Sequence, residues 1–222
     1  MIRAQVRALF IIKILFIYIL CYIINMVIIY FIRHGKTEYN NLRLIQGRID
    51  NHLNDEGIKE TYETANAYKK NGLTFDKIYS SPLLRAYESA KIFKDVFSFN
   101  GEIEVLEDLT ERYFGEAENT PITEEVYIRS LTDDYKDIEP NSLVDERMYN
   151  ATIKIGNDNP NKKVLVVSHS YSIKRLLCVI DKERLYDRAL NNISITTISY
   201  DGKNLKILGM NETPLEGSKW KI

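Results

Sequence analysis

The sequence predicts an α/β fold built on a largely parallel β-sheet. Two observations lead to this prediction. Apolar, β-branched runs alternate along the chain with amphipathic stretches of helical period, and the run VIIYFI at 27–32 is apolar on both faces, as a central parallel strand should be. A length of 222 residues, with 45% hydrophobic and 27% charged residues, is typical of one ordinary globular domain.

Local signals place the elements of the first half in chain order. VIIYFI is the first strand, and a loop over 33–54 leads to a helix over about 55–71. Asn54 or Asp55 caps this helix, and Gly72 ends it. TFDKIYSS carries a short second strand. Pro82 suits the first turn of the helix LLRAYESAKIFKDVF, and EIEVL is the third strand.

The second half begins with a polar excursion over about 110–140 that carries one predicted helix. A helix over about 142–157 then precedes a buried strand in KKVLVVSHS, and YSIKRLLCVI forms the next helix. The segment SITTISYDGKNLKILGM is predicted to be a β-hairpin that turns at Asp201-Gly202.

Residues 1–25 differ from the rest of the chain, which we assign to one domain over 26–222. Three basic residues accompany the apolar run ILFIYILCYII, a pattern that resembles a signal peptide or membrane anchor. A spanning helix of roughly 20 residues would have to include the first strand, and no cleavage site or polar linker separates the two. We favour a natural start at Met26 with upstream read-through before it. A short anchor or signal, and a packed N-terminal helix, stay open.

Charge and cysteine content exclude several function classes. The formal charge of −1 provides no large basic surface for nucleic acid. Cys21 and Cys178 form no CxxC pair and no Cys/His group at zinc-ligand spacing. We expect a small-molecule ligand, no nucleic-acid partner, no metal and a cytoplasmic location. Membrane contact or export would follow only from residues 1–25, and the oligomeric state is not indicated.

Two strands end in the same way, with a histidine and then a small residue, in YFIRHG and VVSHS. Because the carboxyl ends of parallel strands meet at one edge of a sheet, we expect His34 and His169 to face each other. Arg33 precedes the first histidine, and Arg85 lies about one turn into the helix after the second strand, so both reach this edge. His52, in the loop at DNHLN, lacks this context and is interpreted as structural.

This combination of side chains favours phosphoryl chemistry. Arginine side chains bind phosphate oxygens through paired, charge-assisted hydrogen bonds, and an imidazole nitrogen can attack phosphorus. Attack by His34 would form a phosphohistidine and divide one difficult displacement into two easier ones. The two guanidinium groups would meet the charge that develops on the phosphoryl oxygens, so no metal is needed to supply it.

Five motifs in order now support a resemblance to a known family. RHGKTEYN, QGRIDNHLNDEG, SSPLLRAYESA, LTERYFG and VVSHS resemble the histidine phosphatase superfamily, also called the phosphoglycerate mutase-like family. The resemblance implies a three-layer α/β/α sandwich with a mostly parallel central sheet. It also implies that His34 is the phosphorylated nucleophile and that Arg33, Arg85 and His169 bind the phosphoryl group.

The resemblance assigns roles to further residues. Glu111, in TERYFG, would protonate the leaving oxygen and later activate water, because an alkoxide is a poor leaving group unless it is protonated. Asn40 would contact the phosphate, and Thr37 and Gln46 would line the pocket from the same loop. Ser170 stands where the family usually has glycine; its backbone N–H can still serve the phosphate, but a positive φ would cost serine more than glycine.

Within this family the sequence favours a phosphatase. Between Glu111 and Glu146 there are eleven acidic residues and three basic ones, a charge that disfavours a doubly anionic ligand. We therefore predict a phosphomonoesterase that needs neither metal nor cofactor and hydrolyses small phosphorylated metabolites. The alternatives are a cofactor-dependent phosphoglycerate mutase and a non-catalytic phosphoryl-binding module.

Overall fold

The computed structural model describes Lys13, residues 26–182 and residues 189–214. The interpretations given above for residues 1–25, and Cys21 with them, fall outside this part of the chain except for Lys13. Among the described residues, no helix is both long and apolar enough to cross a bilayer.

The described part of the chain contains six β-strands and six α-helices. In chain order these are β1 (Val27–Arg33), α1 (Glu38–Asn41), α2 (Asp55–Lys70), β2 (Lys77–Ser80), α3 (Leu84–Val96), β3 (Ile103–Val105), α4 (Glu124–Leu131), α5 (Asn141–Asp158), β4 (Lys163–Ser168), α6 (Ser170–Ile180), β5 (Ile195–Tyr200) and β6 (Leu205–Glu212). Two single-turn 3₁₀ helices, at Glu107–Leu109 and Gly115–Ala117, lie in the excursion after β3.

The six strands form one sheet in the order β3-β2-β4-β1-β5-β6. The first four strands of this order are parallel to one another. β5 runs antiparallel to β1, and β5 and β6 form the predicted β-hairpin at the edge of the sheet. β1 and β4 are neighbours, with Arg33 paired to Ser168 at their carboxyl ends. The prediction of a mostly parallel sheet is confirmed, and the register brings the residues after these two strands together.

The alternation of side chains along β1 divides the core into two layers. Val27, Ile29 and Phe31 pack against α5 and α6, whereas Tyr30 and Ile32 pack against α2 and α3 on the opposite face. Both faces of the sheet are therefore covered by helices, as parallel sheets require. The structure is the three-layer α/β/α sandwich that the resemblance implied.

The loop between β1 and α2 contains a helix that the sequence did not predict. α1 is one turn long, too short for an apolar period, and it is held by a capping box between Thr37 and Asn40. The loop lies directly on α2 at Gly57, where a Cβ would come within 2.1 Å of the carbonyl oxygen of Lys36. Glycine is thus required for this close approach.

Met148 tests the packing of the larger core layer. Its side chain on α5 is fully buried, so Met148→Ala is expected to lower the free energy of unfolding by about 2–5 kcal/mol through lost burial and a residual cavity. Met210→Ala is the control, because this β6 side chain is 37% exposed. Urea unfolding of both variants checks the prediction, and equal losses would contradict it.

Candidate active site

The two histidines predicted to meet do so at the carboxyl ends of β1 and β4. The ring centroids of His34 and His169 are 5.2 Å apart, with an angle of 56° between the rings. Both side chains are buried, at 3% and 0% exposure. The backbone N–H of His34 donates to the Ser168 carbonyl at 3.0 Å and continues the strand ladder to this point.

Hydrogen bonds determine which nitrogen of His34 carries the proton. Nδ1 lies 2.7 Å from the Gly35 carbonyl oxygen, which can only accept, so Nδ1 is the protonated nitrogen. Nε2 accepts from Nε of Arg85 at 3.2 Å and therefore carries a lone pair. Burial, followed by the charges of Arg85 and Arg33, holds the pKa of His34 well below its usual range. His34 is a neutral imidazole whose free lone pair is on Nε2.

His169 is buried in the same surroundings. Its Nε2 lies 2.8 Å from Oγ of Ser81, the residue that follows β2. Its Nδ1 is buried and has no hydrogen-bond partner among the described residues. Burial lowers the pKa of His169 well below its usual range, and the nearby positive charge of Arg85 lowers it further.

The two predicted arginines place fixed positive charge beside the histidines. Arg85 is fully buried and donates to the carbonyls of Gly47 at 2.7 Å and Ile49 at 2.8 Å. Arg33 donates to the Leu190 carbonyl through one terminal nitrogen, while its Nε is buried without a partner in the described part of the chain. Burial lowers the pKa of each guanidinium to about 10, so both stay protonated at neutral pH.

Glu111 is held by four hydrogen bonds at the N-terminus of α6. Oε1 accepts the backbone N–H of Arg112 at 2.9 Å and both the backbone N–H and the hydroxyl of Ser172, at 3.0 and 2.9 Å. Oε2 accepts only the backbone N–H of Tyr171, at 3.1 Å. These four hydrogen bonds fix the orientation of the carboxyl group, and Oε2, with one partner among the described residues, keeps capacity for a further hydrogen bond.

The loop residues predicted for the pocket divide into two groups. Asn40 and Gln46 line the cavity, but Thr37 does not. Thr37 is fully buried beneath them, where its hydroxyl lies 2.9 Å from Oε1 of Gln46 and its backbone N–H donates to Oδ1 of Asn40 at 3.0 Å. Thr37 therefore supports the cavity wall, since the cap of α1 turns its side chain inward.

Ser170 lines the cavity as the first residue of α6. The backbone φ of Ser170 is not positive, so this position does not need glycine here. Its Oγ accepts the backbone N–H of Leu190 at 3.0 Å, which fixes the start of the helix against the segment that leads into β5.

The cavity above these residues has a volume of about 310 Å³. Seven of the nine predicted site residues line one wall of the cavity, whereas Thr37 and His169 do not line it. The other wall is apolar and aromatic: Leu44, Ile45, Phe114, Ile122, Val126, Tyr127 and Tyr171. Of the eleven acids between Glu111 and Glu146, only Glu111 lines it. The count of acids along the chain was therefore a wrong guide to the charge of the cavity, because the other ten do not line it.

Three residues at the site were missed by the sequence analysis. Lys174 on α6 is 7% exposed and lines the cavity, with Nζ 5.5 Å from the ring centroid of Tyr171. Asn192 donates from Nδ2 to the His34 carbonyl at 2.8 Å, and Ser81 contacts His169. The strand-end argument could have found Ser81, and helical spacing from Ser170 could have found Lys174, whereas Asn192 carries no sequence signal.

The excursion between β3 and α5 forms a cover segment (residues 113–140) that is fastened through Arg112. This fully buried side chain donates to the carbonyls of Ser130 at 2.6 Å and Glu139 at 2.8 Å, and it pairs with Asp133. It also donates to the hydroxyl of Tyr171 at 3.0 Å. One arginine thus joins three points of the cover segment to α6.

The buried histidines predict a pH dependence of stability. Both stay neutral in the folded protein, whereas in the unfolded chain they bind protons near pH 6.5, so stability is lost as the pH falls below that value. Going from about pH 7.5 to about pH 5.5 should cost up to about 1.4 kcal/mol per histidine. Urea unfolding in phosphate-free buffer checks this, and His169→Gln should show the smaller pH-dependent loss. An unchanged loss would contradict it.

The chain is similar to known proteins over most of its length. A family model described as histidine phosphatase superfamily (branch 1) matches residues 29–213. The chain is 32% identical over 183 residues to the uncharacterized phosphatase PhoE of Bacillus subtilis (strain 168), covering 79% of this chain and 92% of that protein.

Solved structures are similar over most of their length. Phosphoserine phosphatase from Entamoeba histolytica, in complex with 3-phosphoglyceric acid, has a TM-score of 0.71 at 28% identity and covers 84% of this chain and 98% of its own. Phosphoglycerate mutase from Bacillus anthracis str. Sterne is similar in fold, with a TM-score of 0.73 at 24% identity and coverage of 86% and 95%.

Proposed function

Because the chain belongs to the histidine phosphatase superfamily (branch 1), we propose that it hydrolyses phosphomonoesters through a phosphohistidine on His34. The observation that carries this proposal is the protonation pattern of His34. The Gly35 carbonyl keeps the proton on Nδ1 and leaves a lone pair on Nε2, beside the buried guanidinium of Arg85 and near the half-buried Arg33. A neutral imidazole held in this way is ready to attack phosphorus.

In the first proposed step, Arg33, Arg85, His169 and Asn40 hold the phosphoryl oxygens. Nε2 of His34 attacks phosphorus, so that a P–N bond forms while the ester P–O bond breaks. Glu111 delivers a proton to the leaving oxygen, which departs as an alcohol. Its place in the cavity wall and the spare capacity of Oε2 support this role.

In the second step, the same groups act on water. The carboxylate of Glu111 takes a proton from a water molecule, whose oxygen attacks phosphorus as the P–N bond breaks. Inorganic phosphate forms, Glu111 is protonated again, and His34 regains its lone pair. The proposal that no metal takes part rests on Arg33 and Arg85, whose fixed charges can meet the charge that develops on the phosphoryl oxygens.

The substrate class that we propose is a small phosphorylated metabolite. A cavity of about 310 Å³ can hold a phosphoryl group and a compact alcohol part. The alcohol part would lie against the apolar and aromatic wall, within reach of Lys174. We also propose a cytoplasmic location without a nucleic-acid partner, on the basis of the cysteine content and the near-neutral charge.

Phosphoglycerate mutase activity is the second candidate, favoured by one observation. Lys174 adds a cation to the cavity wall, and a cation there can bind the second anionic group that a phosphoglycerate carries. Adding 2,3-bisphosphoglycerate and following the interconversion of 3- and 2-phosphoglycerate distinguishes the two activities. Interconversion faster than phosphate release would favour the mutase.

Phosphate release from a panel of phosphomonoesters tests the proposed function. The full-length protein is assayed with and without a chelator, and the panel includes phosphoserine, 3-phosphoglycerate, glycerol phosphate and p-nitrophenyl phosphate. Release that persists in the chelator is the expected result. A protein that binds phosphate tightly but forms no acid-labile phosphoenzyme would instead be a phosphoryl-binding module.

A further inference from the structure

Ser81 lies at the same sheet edge as the two histidines. It follows β2, and its backbone N–H donates to the Val167 carbonyl at 2.9 Å, which extends the ladder to β4 by one residue. Its side chain is fully buried, with Oγ 2.8 Å from Nε2 of His169. The proposed mechanism gives this serine no part.

The direction of this hydrogen bond determines which nitrogen of His169 carries the proton. Oγ of Ser81 already accepts the backbone N–H of Leu83 at 3.3 Å, and its own hydrogen is left to donate. Nε2 of His169 is the acceptor within reach. The ring proton must then be on Nδ1, the buried nitrogen that has no partner among the described residues.

The opposite arrangement would oppose ligand binding. If Nε2 carried the proton, Nδ1 would present a lone pair, which repels phosphoryl oxygens. A buried N–H without a partner costs free energy until a ligand accepts from it, and a phosphoryl oxygen is such an acceptor. Nε of Arg33 is a second buried donor of this kind at the same site.

We propose that Ser81 is a positioning residue that fixes the tautomer of His169. Its hydroxyl donates to Nε2 and keeps the proton on Nδ1, where it can donate to the phosphoryl group. The two histidines then share one tautomer and use opposite nitrogens: His34 offers the Nε2 lone pair to phosphorus, and His169 offers the Nδ1 hydrogen to oxygen. This inference rests on the proposed function, because it takes a phosphoryl group as the ligand.

The tautomer of the wild-type protein is the first test. Long-range ¹H–¹⁵N NMR of the full-length chain distinguishes the two neutral forms of a histidine, and His169→Gln assigns the signals. We expect a protonated Nδ1 and an unprotonated Nε2 at His169. The reverse pattern would overturn the inference without any serine variant, so a variant that fails to fold cannot leave it undecided.

The second test compares Ser81→Ala with Ser80→Ala. Ser80 is the adjacent buried serine, and its hydroxyl donates to the Ser81 carbonyl at 2.8 Å and to no histidine. Loss of the Nδ1 donor should weaken the binding of inorganic phosphate to Ser81→Ala by about tenfold or more, together with loss of the Nδ1–H signal. Ser80→Ala should keep both the affinity and the signal.

The outcomes separate this inference from the proposed function. If the wild type binds phosphate and Ser81→Ala binds it equally well with its tautomer unchanged, Ser81 has no positioning role. Equal weakening in both serine variants would also overturn the role, since it would reflect a general disturbance of β2. A wild type that binds no phosphate would contradict the proposed function, while the NMR pattern would still decide the role of Ser81.

Discussion

His34→Ala is expected to reduce phosphate release by roughly 10⁴-fold or more, because it removes the atom that forms the covalent intermediate. No neighbouring group can replace it. His169, 5.2 Å away, directs its Nε2 to Ser81, and Arg33 and Arg85 remain protonated at neutral pH. The measurement is the rate of phosphate release, with an acid-quench assay for the phosphoenzyme in parallel.

The control for this variant is His52→Ala. The His52 side chain is 68% exposed, pairs with Glu88 and lies outside the cavity wall, so this protein should keep its full rate and its phosphoenzyme. Retained phosphoenzyme in His34→Ala would show that another residue is the nucleophile. Loss of activity in both variants would indicate that histidine replacement disturbs the fold.

Glu111→Gln is expected to have the second largest effect, and its size should depend on the leaving group. For an alkyl phosphate the rate should fall by about 10²–10⁴-fold, because the alkoxide must leave without a proton. For p-nitrophenyl phosphate the first step needs no protonation. The phosphoenzyme should then accumulate, since the attack by water still lacks its general base. A rapid-mixing assay should show a burst of nitrophenol followed by slow turnover.

Glu116→Gln is the matched control in the same segment, because Glu116 is exposed and lies outside the cavity wall. It should leave both rates unchanged. An equal loss in the rate of the first step for both leaving groups in Glu111→Gln, with no burst of nitrophenol, would contradict the assignment of Glu111 as the proton donor. Such a loss would point to a structural role, for which its four hydrogen bonds at the start of α6 provide a reason.

The meeting of the two histidines could be predicted from the sequence because it depends on strand ends. A buried strand has a strong local signal, and the pairing of β1 with β4 brings His34 and His169 together once the sheet is parallel. The inward turn of Thr37 could not be predicted, because it depends on a one-turn helix without an apolar period.

The wall of the cavity that would face the alcohol part could not be predicted either. Phe114, Tyr127 and Lys174 meet there only through the folded path of the cover segment and α6. A count of charges along the chain ignores which way each side chain points, and only Glu111 of the eleven acids reaches the cavity. Long-range packing determines which side chains line this wall, and the local sequence carries little information about that packing.

The proposed reacting groups lie at the sheet edge, and part of the apolar cavity wall lies in the cover segment. This separation has a consequence for the evolution of substrate choice. The reacting groups are anchored by the rigid sheet, whereas Ile122, Val126 and Tyr127 belong to the cover segment, which lies outside the sheet. Mutations at these three positions can therefore change which alcohol is accepted while phosphoryl transfer itself is inherited intact. Such a protein can diversify by drift in one surface segment, and a library randomised there is a direct route to new specificities.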